Sequence, residues 1–243
     1  MINLIMPMAG GGIRFKDKNF AYPKPLIEIH EKPFFYWAAQ SVLRNCSVKQ
    51  MVFAVLREHE TQFGISDEIK KYYPEAQVVI LDKLLNGAVL TCREAAKVID
   101  NDLPIVFNDC DHLFNCAAFA DFCARENYSV NDGMLLTFKS DEDKFSFVRY
   151  DSEGNFAGTV EKEVVSNDAI CGVYCFRNKD IFFDYSEKYL TRCSYKEFFM
   201  SGVYNVMCDD NRKIDILTTD FHLSFGTPDE YDAAITNSVF KDF

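Results

Sequence analysis

Apolar residues fall along this chain in two alternating rhythms. Short runs rich in β-branched and other apolar side chains stand at Leu4 to Met8 (LIMPM), Met51 to Leu56 (MVFAVL), Gln77 to Leu81 (QVVIL) and Pro104 to Phe107 (PIVF). Between them, KPFFYWAAQSVL, ISDEIKKYY and GAVLTCREAAKVI carry apolar residues three and four apart with charges opposite, the spacing that gives a helix one buried face. Strand and helix in alternation predict βαβ units, and hence a parallel sheet with helices on its faces. A further helix is expected at Ala117 to Arg125. Beyond it the rhythm changes to strands without intervening helices: GMLLTF, FSFVRY, FAGTVEK and AICGVYCF. Antiparallel additions to the sheet follow, with Ser152 to Asn155 (SEGN) supplying the turn of a hairpin. Helices return near Asp180 to Tyr189 and Tyr195 to Met207, followed by a strand, KIDILTT, and a last helix. Thr227 suits the N-cap of that helix and Pro228 its first turn, where acidic residues follow. The expected class is α/β, a mixed and mostly parallel sheet flanked by helices, with antiparallel additions in the second half.

Composition narrows what such a sheet can serve. With 243 residues, 48% of them hydrophobic, the chain can bury a large core, and no repeat or linker marks a boundary, so a single domain is expected. A net charge of −11, unrelieved by any run of lysines and arginines, argues against nucleic acid and anionic membrane surfaces as partners. No apolar stretch approaches the roughly 20 residues of a membrane span, and the start lacks a signal peptide's basic head and cleavage site. A cytoplasmic protein is the expectation. The nine cysteines include no CxxC pair and sit mostly in apolar surroundings, such as AICGVYCF, where Cys171 and Cys175 share a strand face. Buried thiols are expected rather than a metal or disulfide framework.

Candidate chemistry begins at MPMAGGGIRF, Met6 to Phe15, a buried strand that breaks into three glycines. Such a run either turns the chain at positive φ or lets bare N–H groups approach an anion, and phosphate is the usual guest. It matches neither GxGxxG nor the P-loop pattern, so both readings stay open on the glycines alone. Charge favours the second: Arg14 lies just past them, and Lys24 stands in YPKPLIEI, presented from backbone stiffened by Pro23 and Pro25. Two fixed cations beside a glycine loop suit a polyphosphate. The other constellation is FNDCDHLF, where Asp109 and Asp111 follow directly on a strand and so fall at its carboxyl end, the ligand-binding edge of an open α/β sheet. Alternate residues of an extended chain face one way, so both carboxylates can meet one hard cation such as Mg2+. Asp111 is favoured as the metal ligand, and Asp109 reads equally as a turn residue.

Taken together, MPMAGGGIRF, YPKPLIEI, NGAVLT, NDCDHLF, the EK before AICGVYCF, and the late FGTPDEYD resemble, in order and over nearly the whole chain, the sugar-1-phosphate nucleotidylyltransferases. The branch encoded with capsule and lipopolysaccharide genes is the most similar. The resemblance implies a Rossmann-like nucleotidyltransferase fold in which residues to about 115 bind nucleotide and those from about 116 bind acceptor. It implies that Ala9, Gly10, Gly11 and Gly12 wrap the nucleotide phosphates, that Arg14 meets the leaving pyrophosphate, and that Lys24 stands near the α-phosphate. Gly87 falls where the base or ribose lies, Asp111 on the metal-binding aspartate with Asp109 beside it, and Glu161, Lys162 and Gly172 on the acceptor site. Many relatives place a second metal-binding aspartate just before the late GT pair, whereas this chain has Phe225 there, and Asp220 is the nearest substitute.

The implied reaction joins a nucleoside triphosphate, with CTP or UTP/dTTP favoured by analogy, to a small phosphorylated acceptor, with Mg2+ as cofactor. Its product would be an activated precursor of surface polysaccharide. Asp109-Cys110-Asp111 also spells the DxD of metal-dependent glycosyltransferases, which leaves Arg14 and Lys24 unexplained, and a catalytically silent nucleotide binder is a third reading. His112 reads as packing near a turn, and His30, His59 and His222 are too scattered to suggest zinc. The aromatic wealth reads as core, and an exposed share of it would suit a homo-oligomer.

Overall fold

The structure, a computed structural model, describes residues 1–124 and 131–243. Its strands are β1 (Ile2–Pro7), β2 (Glu28–Ile29), β3 (Lys32–Pro33), β4 (Val48–Leu56), β5 (Gln77–Leu81), β6 (Ile105–Asn108), β7 (His112–Asn115), β8 (Gly133–Lys139), β9 (Ser146–Tyr150), β10 (Phe156–Glu161), β11 (Asp168–Phe176), β12 (Ile214–Thr218) and β13 (Phe221–Ser224). Its helices are α1 (Ile13–Lys16), α2 (Phe34–Leu43), α3 (Arg57–Phe63), α4 (Ile65–Tyr72), α5 (Ala88–Ala96), α6 (Ala117–Ala124), α7 (Lys179–Arg192), α8 (Met200–Asp209) and α9 (Pro228–Ala234). One sheet runs in the order β10-β9-β11-β6-β1-β4-β5, with β8 on β11 and β12 on β8. Strands β6, β1, β4 and β5 are parallel, as alternating strands and helices require, while β11 lies antiparallel to both β6 and β8. The mixed sheet expected from the sequence is therefore present.

Strand β1 shows why its run is apolar without a break. Leu4 and Met6 face a core shared with Phe35 and Ala38 of α2, Ile65 and Ile69 of α4, and Phe119 of α6. Ile5, between them, faces a second core with Val89 and Cys92 of α5, Phe182 of α7 and Tyr204 of α8. A strand covered on both faces needs apolar side chains at every position. A third cluster, with Phe34, Trp37, Phe225 and Phe240, lies under the arm formed by β7 and β13, a separate antiparallel pair.

Several expectations shift. Lys32 and Pro33 form β3 rather than the first turn of α2. The helix expected from Tyr195 begins only at Met200, because Phe198 bonds to the start of α5 and the loop before it: its N–H donates to the Asn86 carbonyl at 3.4 Å and its carbonyl accepts from Val89 N at 3.1 Å. The arm of β7 and β13 escapes a periodicity reading, since each strand has only four residues. Arg125, the expected end of α6, lies outside the described residues. Cys46 and Cys123 form a disulfide, against the expectation of free thiols throughout. Cys46, in the loop after α2, and Cys123, in the last turn of α6, pack in the same core, which brings together cysteines 77 residues apart in sequence. The other seven cysteines are free, five of them buried.

His59 is 2% exposed and neither ring nitrogen has a hydrogen-bond partner. Burial pushes its pKa down, with Glu58 acting the other way. The unfolded chain then takes up a proton first as pH falls, so this contribution to stability is complete above about pH 6.5 and lost below it. The thermal midpoint is expected to fall on acidification from pH 6.5, and less so in His59→Leu. Equal acid sensitivity in the two proteins would refute the assignment.

Candidate active site

Strands β1 and β6 are parallel neighbours, so the glycine loop after one and the NDCD turn after the other emerge at the same sheet edge. Gly12 adopts φ +60°, and a Cβ built on it would lie 3.6 Å from the Lys24 Cβ, so the loop turns directly over Lys24. Pro23 in extended conformation, with its carbonyl accepting from Leu26 N at 2.8 Å, fixes the short helical turn that presents Lys24. The Lys24 ammonium donates to Asp111 Oδ2 at 2.9 Å, and the two side chains are 28% and 23% exposed.

Two cavities meet at this pair. The larger, about 590 Å3, is lined by Ala9 to Gly12, Lys24, the Leu84 to Ala88 segment and Glu197. The smaller, about 170 Å3, is lined by Asp111, Gly172, Tyr174 and the β7 and β13 arm. Arg14, Asp109 and Gly226 belong to the walls of both. The missing side chains of two glycines keep the junction open. A Cβ on Gly226 would stand 2.2 Å from Asp111 Oδ2, and one on Gly172, at φ +85°, would stand 2.7 Å from Asp109 Oδ2.

Electrostatics sort the two carboxylates. Burial and then the Asp111 charge push Asp109 up to about 7, with Lys24 pulling the other way. Burial would also raise Asp111, but Lys24, by its charge and its hydrogen bond, holds it below the ordinary value. Burial acts to lower Lys24, yet the Asp111 charge and hydrogen bond, together with Cys110 and Asp109, outweigh it and hold the ammonium above its usual pKa. One fixed cation and two carboxyl groups thus crowd the junction. A hard divalent ion suits such oxygen donors, and Asp111 and Asp109 are the groups that would hold one. No cluster of three metal-ligating side chains forms among the described residues, so phosphate or water oxygens would have to complete the coordination.

The sequence-derived candidates fall into place unevenly. Ala9, Gly10, Gly11, Gly12, Arg14, Lys24, Gly87 and Asp109 all line the larger cavity. Asp111 and Gly172 line the smaller. Glu161 stands behind its wall, accepting from the Ser146 hydroxyl at 2.6 Å and from Ser201. Lys162 adopts φ +56° and lays its ammonium over the Phe199 ring, 5.5 Å from its centroid. Asp220 is not brought to the site. Its Oδ2 accepts from Ala117 N at 2.7 Å, capping α6, and its N–H pairs with Asn115 at the far end of β7 from Asp111. Strand rise over that length separates the two aspartates by on the order of 15 Å. Phe225, where relatives carry the second aspartate, packs its ring on Phe34 at 4.7 Å in the third core.

Residues that the sequence reading passed over also line the smaller cavity: His112, Phe138, Lys144, His222 and Glu230. His112 is buried, its Nε2 pairs with Asn108 Oδ1 at 2.8 Å, and burial pushes its pKa down to about 4. The alternation in HLSF, which puts His222 and Ser224 on one side, is the one signal that could have found part of this wall.

No protein-family model matches the chain, and no curated protein does. Solved structures do resemble it. A nucleoside-diphosphate-sugar pyrophosphorylase from Vibrio cholerae superposes with a TM-score of 0.81 at 20% identity, over 96% of this chain and 100% of that one. An inositol-1-phosphate CTP transferase from T. maritima gives 0.77 at 15% identity, over 100% of this chain and 94% of that one. HddC from Yersinia pseudotuberculosis gives 0.71 at 17% identity, over 97% and 98%. Over essentially its whole length, the chain has the Rossmann-like fold of the sugar-phosphate nucleotidyltransferases.

Proposed function

We propose that this protein is a nucleotidylyltransferase that joins a nucleoside triphosphate to a phosphorylated sugar or other small phosphorylated acceptor and releases pyrophosphate. The observation that carries this reading is the Lys24 and Asp111 pair at 2.9 Å where the two cavities meet. A glycine-lined cavity and a second polar cavity, sharing one cationic and acidic junction, suit two anions that must react there. The neighbours' activities support the same class.

In this reading an acceptor phosphate oxygen attacks the α-phosphorus in line, forming one P–O bond as the bond to pyrophosphate breaks. A phosphate monoester is already anionic near neutral pH, so the site mainly positions two repelling anions and neutralises charge. Lys24 leaves Asp111 to meet the α-phosphate, while Arg14 and the N–H groups of Gly10 to Gly12 take the departing pyrophosphate. Gly87 lies beneath the base or ribose. Asp111, with Asp109, would hold Mg2+, which supplies positive charge to the transferring group. Glu161, through Ser146, and Gly172 shape the acceptor wall, and Lys162 turns from Phe199 to the acceptor phosphate. A pyrimidine nucleotide, CTP or UTP/dTTP, and a role in supplying a precursor for surface polysaccharide are the finer parts of this proposal.

Pyrophosphate release is the test, measured on the purified protein with Mg2+ across triphosphates crossed with sugar and polyol phosphates. Release that requires both partners is expected with at least one pair. Release with no pair, alongside heat stabilisation by triphosphate, would overturn the proposal in favour of a silent binder, and turnover of a nucleotide-sugar would favour a DxD glycosyltransferase.

A further inference from the structure

The wall of the smaller cavity includes a buried polar atom with nothing to bind. His222 lies on β13, opposite Phe114 of β7. Its ring stacks on Phe138 with centroids 3.8 Å apart, and its edge meets His112 at 5.7 Å. Alternation sends Leu223 and Phe225 to the aromatic core and leaves His222 and Ser224 lining the cavity. His222 Nε2 is buried with no hydrogen-bond partner.

Several polar groups around it are taken. His112 Nε2 is engaged with Asn108, as described above. Lys144 holds Glu142 at 2.7 Å and Glu230 at 2.8 Å. The other Glu230 oxygen accepts from Thr227 N at 2.9 Å, closing the capping box of α9. The Ser146 hydroxyl is spent on Glu161. A buried polar atom left unpaired destabilises the fold, and one that lines a ligand cavity is explained when the ligand pairs with it. Burial and the neighbouring His112 push His222 down to about 3, so the ring is neutral. A neutral imidazole nitrogen either donates or accepts according to tautomer, and a hydroxyl can answer both. A cavity of about 170 Å3, the volume of roughly five or six waters, admits a compact hydroxylated body.

We propose that His222 reads the acceptor, its Nε2 forming a hydrogen bond with an uncharged hydroxyl on the acceptor's carbon skeleton. This deepens the acceptor-site reading above and rests on it. Phosphate groups would be held by the cations at the junction, and discrimination among phosphate esters would fall to this imidazole.

Calorimetric titration with glucose 1-phosphate, myo-inositol 1-phosphate and methyl phosphate, the last lacking hydroxyls, tests it on the wild type, His222→Phe and His222→Gln. The wild type is expected to bind at least one hydroxylated ester tenfold or more tightly than methyl phosphate. His222→Phe keeps the stack on Phe138, so its thermal midpoint should match or exceed the wild type's while the preference drops to within twofold. His222→Gln, which restores a donor and acceptor, should recover part of it. The proposal is overturned if the wild type shows no preference, or if both variants keep the wild-type preference. Pyrophosphate release, measured in parallel, separates the two readings: preference lost in His222→Phe without any turnover by the wild type sinks the transferase and leaves the acceptor-reading residue standing.

Discussion

Lys24→Met should lower kcat/KM for pyrophosphate release by about a hundredfold or more, on the order of 3 kcal/mol of transition-state stabilisation. Methionine keeps the length and packing of the stem and removes only the charge. In the free protein that charge sits on Asp111 at 2.9 Å, and Asp109 is already pushed up to about 7 by burial and by Asp111. Deleting the cation therefore leaves two crowded carboxylates, with a stability loss of about 2 kcal/mol, less than for a fully buried pair because both side chains remain about a quarter exposed. Lys24→Met with Asp111→Asn removes both charges, so the double variant should regain most of the lost stability and none of the lost turnover. That split between melting and kinetics separates a catalytic cation from a structural one. Turnover within threefold of the wild type in Lys24→Met would remove Lys24 from the reacting phosphates.

The convergence of Lys24 and Asp111 was legible because each belongs to a local pattern with a fixed place in a parallel sheet. A glycine run after one strand and an acidic turn after its neighbour must share the carboxyl edge, and prolines on both sides of Lys24 declare a stiff presentation. The wall of the smaller cavity was much harder to read. His222 and His112 are 110 residues apart in sequence and meet only because β13 folds back on β7, a pairing of four-residue strands with no period long enough to detect. Asp220 misled for the same reason. Counting residues back from the late glycine ignores that β13 runs antiparallel to β7, which carries Asp220 away from Asp111 with every step. The disulfide between Cys46 and Cys123 also depends on tertiary placement alone, since no spacing rule links a loop residue to one on a helix 77 positions away.

One error of the sequence reading points to how the larger cavity is built. A helix is expected near Tyr195 to Met207, yet residues 195–197 bend, Phe199 is extended, and only Met200 onward is helical. Local propensity loses there to three hydrogen bonds with the start of α5 and the loop before it: the two that Phe198 makes, and Asn86 Nδ2 to the Lys196 carbonyl at 3.2 Å. The gain is a wall. Glu197, held by this strap, joins Leu84 to Ala88 around the proposed nucleotide cavity, so a second-half segment completes a first-half site.

Gly87→Ala tests that wall at its tightest point and should be among the most damaging single substitutions in the chain. Gly87 sits at φ +96°, and a Cβ there would stand 2.4 Å from Phe198 N, 2.6 Å from its O and 2.9 Å from its C. All three are backbone atoms, so no rotamer change relieves the clash, and the strap must separate from the start of α5. Overpacking of this kind together with a disfavoured backbone region costs about 3 kcal/mol or more, which for a chain of this size lowers the thermal midpoint by roughly 6 to 12 °C. Gly10→Ala is the internal control for stability, because a Cβ at Gly10 meets nothing within 4 Å. With the strap displaced, the KM for triphosphate should rise about tenfold, while the KM for the phosphorylated acceptor, whose cavity lies beyond Asp109, should stay within about twofold, the change expected when uniform binding is lost. A Gly87→Ala protein that melts and binds triphosphate as the wild type does would show that residues 195–199 lie against the loop without holding the nucleotide cavity closed.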